Sequence, residues 1–116
     1  WVKQTGRKRL VIAGLWTELC LNLAVLSALG DGYHVYIVPD ASGGADAESH
    51  ALAVQRMVQA GAIPISTLAY PVELQRDWAR QETVPEVLKI FEEHGHGSSR
   101  AIRWQQDMLG LKEGTR

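Results

Sequence analysis

The chain has one cysteine in 116 residues, so it cannot close an internal disulfide, which suits a reducing compartment such as the cytoplasm. Charge of one sign is also scarce in excess, with Lys+Arg 12 against Asp+Glu 13. That balance excludes the basic face by which proteins hold nucleic acid and a polybasic membrane anchor. No apolar run approaches the roughly 18 residues of a membrane span, and no signal-peptide pattern opens the chain. Internal repeats and low-complexity segments are lacking too. An initiator methionine is missing: the chain opens on Trp1, which fits a processed product or a fragment.

What is present is enough apolar material for a core. At 46% hydrophobic, a single domain of this length can bury roughly two-thirds of the surface its unfolded chain exposes. Short apolar runs alternate with longer helical ones, the pattern of a parallel α/β sheet. Leu10 to Ala13 is apolar throughout and predicts a strand covered on both faces. Thr17 is placed to cap a helix reaching about Leu29, ended by Gly30 and Gly32. Tyr33 to Val38 predicts the second strand, and Ala45 to Ala60 the next helix. Ile63 to Leu68 predicts a third strand. Pro71 suits the first turn of a helix to about Arg80. Thr83-Val84-Pro85-Glu86 fits a capping box for a helix stopping at Gly95. Residues 96–116 then read as a Gly/Ser hinge and a short helix from Ala101 to Leu109, serving as a tail or interaction arm. Three strands make a thin sheet, and a bare apolar edge invites pairing. Further strands are therefore expected, upstream in the same polypeptide or from a partner chain.

The chemistry concentrates in Ala13-Gly14-Leu15-Trp16-Thr17-Glu18-Leu19-Cys20, at the carboxyl end of the first strand, where open α/β sheets place ligands. With Thr17 as cap, Cys20 lies in the first helical turn. There the unpaired N–H groups and the positive end of the helix dipole favour a thiolate and can hold an oxyanion. The commoner role of a lone cysteine, a buried inert thiol, stands beside this reading. A dinucleotide fingerprint fits poorly, since Gly14 is followed by bulky Leu15 and Trp16. A dithiol redox site would need a second cysteine.

Gly14 to Cys20, then Leu26 to Leu29 and Tyr33 to Val38, resemble the second half of isochorismatase-like cysteine hydrolases, in particular the YcaC-like subgroup. Asp40-Ala41-Ser42-Gly43-Gly44, His50, Gln55-Arg56-Met57, Gly61-Ala62 and Glu73 to Trp78 extend the match, in order, over about residues 5 to 95. The resemblance implies a three-layer α/β/α fold with a six-stranded parallel sheet, of which residues 1–95 would hold the later strands. It implies an oligomer and a catalytic triad of aspartate, lysine and cysteine. The cysteine corresponds to Cys20. By the same resemblance the backbone N–H groups of Trp16 and Cys20 form the oxyanion hole, and the peptide from Leu15 to Trp16 is cis. Leu15, Trp16 and Thr17 would wall the pocket of a small amide or related carbonyl substrate. No cofactor or metal is implied.

The departure is that no aspartate precedes Cys20, while Lys3 and Lys8 fall at the wrong end of the first strand. An active enzyme therefore needs its aspartate and lysine from residues upstream of this chain. The alternative is a truncated member that serves as a structural or oligomerisation module. Trp16 reads equally as a core aromatic. Asp40 suits hydrogen bonds to nearby backbone, Ser42 to Gly44 either a loop or part of the site wall, and His50 a hydrogen-bonded structural role. His94 and His96 flank Gly95 but lack a third histidine for a metal. Trp78 and Trp104 suit subunit contacts, where aromatic anchors are common.

Overall fold

The computed structural model describes residues 1–110, apart from the side chains of His96 and Ser98. Three strands, β1 (Arg9–Ile12), β2 (His34–Ile37) and β3 (Ile63–Pro64), form a parallel sheet in the order β1-β2-β3. The α/β architecture and all three strands are those the sequence predicts. The third is much shorter than expected, two residues in place of six. Pro64 lies between the two residues whose amides face β2, so its missing N–H is on the free edge and costs no ladder bond. One more bond, from the amide of Ile65 to the carbonyl of Ile37 at 2.9 Å, ends the pairing.

Register explains which side chains are covered. Leu10 pairs with Val35 and Ile12 with Ile37, so these four share one face. Val35 and Ile37 are buried there with Leu21, Val25, Met57 and Ala62. The other face carries Arg9, Val11, His34 and Tyr36, and Val11 is exposed. The expectation that β1 is covered on both faces does not hold within this chain: β1 is an edge strand with one face open.

The crossover from β1 to β2 begins with a widened turn, Thr17–Leu21, and continues as α1 (Asn22–Gly30). Thr17 is not the cap; the extended residue before the turn is Trp16. The second crossover holds α2 (Ala47–Gln59), with Asp46 as its cap. The Asp46 carboxylate accepts from the backbone N–H of Ser49 at 2.8 Å and from its hydroxyl at 2.7 Å. Those two bonds, the backbone one first, hold the carboxyl below its ordinary pKa. A depressed folded-state pKa contributes stability above the unfolded value and loses it as pH falls through the folded one. Asn caps helices as well as Asp without a charge. Asp46→Asn is therefore expected to flatten the acid limb of thermal stability, and equal acid slopes in both proteins would refute the assignment.

Residues 1–67 form one compact unit and a second begins at Leu68. The second unit holds α3 (Ala69–Gln75), α4 (Val84–His94) and α5 (His96–Leu109). Helix α3 stops at Gln75, well before Arg80, where Arg76 takes a positive φ of 59°. The reason is the buried Gln75 side chain. Its amide donates to the carbonyls of Asp77 at 2.9 Å and Arg80 at 3.1 Å, and its oxygen accepts from the Thr83 hydroxyl at 2.6 Å. One buried glutamine thus gathers the loop from 76 to 83. The Thr83 hydroxyl is turned toward Gln75 and its backbone is not extended, so it caps no amide of α4 and the expected capping box is not formed. The tail is helical from His96 onward, with no hinge before it, while its last part, residues 111–116, lies outside the described residues. Among the described residues, no helix is long and apolar enough to cross a membrane.

Candidate active site

The turn after β1 is tied to the segment after β2 mainly by backbone. Gly43 donates to the carbonyl of Gly14 at 3.3 Å and accepts from the N–H of Thr17 at 2.9 Å. Leu15 and Gly43 accordingly form an isolated parallel bridge. A Cβ at position 43 would lie 2.6 Å from Leu15 Cδ2, the tip of an exposed side chain that would have to turn aside. The Ser42 hydroxyl donates to the Val38 carbonyl at 2.8 Å and accepts from the Gly14 N–H at 3.2 Å.

Two side chains of the turn complete the tie. Thr17 is fully buried, and its hydroxyl lies 2.9 Å from Nδ1 of His50 on α2. Glu18 accepts from the Ala45 N–H at 2.8 Å through Oε1, while Oε2 is buried without a partner among the described residues. The peptide between Leu15 and Trp16 is cis, as the family resemblance implies.

At the turn itself the carbonyl of Trp16 accepts from Leu19 at 3.1 Å and from Leu21 at 3.2 Å. An α-helix would have used the amide between them, that of Cys20, four residues on. The widened turn passes over it. Single wide turns of this kind are frequent at functional sites. Cys20 is exposed and unpaired, so the reading of a buried inert thiol does not hold for this chain. Leu15 is 65% and Trp16 47% exposed beside it, so Trp16 is not part of the core within this chain.

The structure thus brings Leu15, Trp16, Thr17 and Cys20 into one turn, with Thr17 beneath it. Asp40 accepts from the Thr67 N–H at 2.9 and 3.0 Å, and His50 is hydrogen-bonded to Thr17; both have the structural roles expected of them. The ties made by Glu18 and the Ser42 hydroxyl went unread. They join residues 27 or 28 apart in sequence, and no local pattern signals such a pairing. His94 lies 3.8 Å from Glu93, and the His96 side chain is outside the described residues. A hollow of about 320 Å³ lined by Lys3, Arg7, Lys8, Asp31 and Tyr33 contains no residue of the cysteine turn.

Fold and site together define an α/β domain with a thiol-bearing turn at the carboxyl end of its parallel edge strand. Comparison with known proteins agrees. The Isochorismatase domain model matches residues 1–69. A probable hydrolase of Escherichia coli, YcaC, is 38% identical over 93 residues, covering 80% of this chain and 44% of that protein. The crystal structure of that YcaC, an octameric hydrolase of unknown specificity, superposes with a TM-score of 0.82 at 36% identity, covering 93% of this chain and 52% of the other. YcaC from Pseudomonas aeruginosa, solved with hexane-2,5-diol and covalent acrylamide, gives 0.81 at 34% identity, covering 95% and 52%. The chain belongs to the isochorismatase family. It spans about half the length of these relatives.

Proposed function

We propose that this chain carries the nucleophile of a cysteine-dependent hydrolase acting on a small amide or related carbonyl compound. The observation that carries the reading is an exposed Cys20 at a helix start, whose amide the Trp16 carbonyl does not take. In this mechanism the Cys20 thiolate attacks the carbonyl carbon. The oxygen that becomes negative is held by the N–H groups of Trp16 and Cys20, donors fixed before the reaction begins. Collapse of the tetrahedral species breaks the bond to nitrogen, the amine leaves with a proton, and a thioester remains. Water then attacks the thioester and returns the thiol. Leu15 and Trp16 line the apolar side of the pocket, and buried Thr17, bonded to His50, holds the turn from below.

Proton transfer needs groups from outside this chain, which by family resemblance are a lysine and an aspartate. The intact enzyme works as a homo-oligomer, as the octameric relative does, and a single unpaired thiol suits the cytoplasm.

The covalent acrylamide in the Pseudomonas relative supplies the test. Acrylamide alkylates thiolates, and Cys20 is the only thiol of this chain. Mass spectrometry of the intact protein after brief treatment at neutral pH is expected to find one acrylamide on the Cys20 peptide, added faster than to free cysteine. Labelling no faster than the free amino acid would overturn the reading and favour a structural module.

A further inference from the structure

Helix α5 (His96–Leu109) lies against α4 within the second unit. Its half-buried residues, Ser99, Ile102, Gln105 and Gln106, share one side. The opposite side is open and apolar: Trp104 is 62% and Met108 66% exposed. Gly97, Ala101, Trp104 and Met108 follow one another at spacings of four, three and four, the repeat of a coiled-coil seam. A Cβ built at Gly97 would meet nothing within 4 Å, so the seam is open at that end. Arg100 and Asp107, both exposed, flank it on the same edge one heptad apart.

We infer that this seam is a homotypic contact in which α5 packs antiparallel against α5 of a second copy. Side-chain size selects that direction. In a parallel pair Trp104 would meet Trp104 and Gly97 would meet Gly97, leaving a bulge and a gap. In the antiparallel register Trp104 of each copy packs on Ala101 of the other, and Met108 on Gly97, so every layer sets a large residue against a small one. Charge selects the same direction. That register brings Arg100 of each copy to within about one turn of Asp107 of the other, giving two equivalent ion pairs along the seam's edge. The residues are self-complementary, as a two-fold contact requires. This contact stands apart from the chemistry of Cys20.

Sedimentation velocity of the intact protein over a range of concentrations tests it. Arg100→Glu faces Glu against Asp107 at both pairs and is expected to weaken the α5-mediated association step about tenfold, from two surface pairs turned repulsive. Arg100→Glu combined with Asp107→Lys restores opposite charges in both pairs and is expected to recover the association, a rescue that damage to a single helix would not show. Circular dichroism of the single variant checks that its helices are kept. Direction is read separately by disulfide trapping in a Cys20→Ser background, mixing Gly97→Cys protein with Met108→Cys protein. Mixed-variant dimers support the antiparallel contact. Unchanged association of Arg100→Glu, or cross-links only between identical cysteines at 97, would overturn it.

Discussion

Replacing Cys20 by serine is expected to abolish turnover of a small chromogenic ester or amide by the intact enzyme, a loss of about 10⁴-fold or more in kcat, as when other covalent catalysts lose their nucleophile. The loss should reside in kcat, because the oxygen of serine occupies nearly the position of sulfur but is a far weaker nucleophile without a matched base. The binding contacts proposed for Leu15 and Trp16 would remain in the variant, so KM should change little. The thermal midpoint should also be nearly unchanged, since Cys20 is exposed and buries little surface. Retention of more than about a hundredth of the activity would assign the reaction to another residue.

The second large effect is on stability. Met57 is fully buried on α2, in the cluster formed by Leu21, Val25, Val35, Ile37 and Ala62. Met57→Ala removes apolar contacts and leaves a cavity between the helices and β2, a change that costs about 2–5 kcal/mol. For a unit of this size each kcal/mol moves the midpoint by roughly 4–8 °C, so a drop of ten degrees or more is expected by calorimetry. A shift below about 3 °C would mean the neighbours collapse into the space. The helix also carries His50, whose ring holds Thr17, so loosening α2 should make the acrylamide labelling of Cys20 less selective against free cysteine.

The parallel sheet could be read from the sequence because its signals are local. Apolar runs bounded by glycine and proline mark the strands, and a thiol soon after a strand-ending glycine marks a candidate site. The turn bearing Cys20 lies after the first strand as that signal places it, while Leu15 and Trp16 are singled out only through the family resemblance. Errors fell where a side chain was engaged by something remote. Thr17 looks like a helix cap by type and position, but its hydroxyl is taken by His50, thirty-three residues away. Thr83 begins a good capping box, yet buried Gln75 takes its hydroxyl. The apolar run from Ile63 reads as a six-residue strand, but its pairing with β2 ends at the amide of Ile65, which no local pattern marks. Helix α5 begins earlier than expected because glycine and serine lower helix propensity only modestly, while packing on α4 offsets the cost. The open face of β1 was misread for a different reason. An all-apolar strand states that both faces seek cover and cannot state which chain supplies it.

The bonds made by Gly43 run through its peptide group, to Gly14 on one side and Thr17 on the other. Position at the thiol is therefore inherited from main chain, and the side chains of residues 15 and 16 project from a frame they do not build. Such a frame separates two evolutionary tasks. Exchanges at positions 15 and 16 can reshape what fits beside the sulfur while the sulfur stays where it is, because the bonds of residue 43 to Gly14 and Thr17 use its peptide group alone. Relatives should accordingly drift at 15 and 16 while the two main-chain bonds of position 43 persist, a pattern that follows from hydrogen bonding alone.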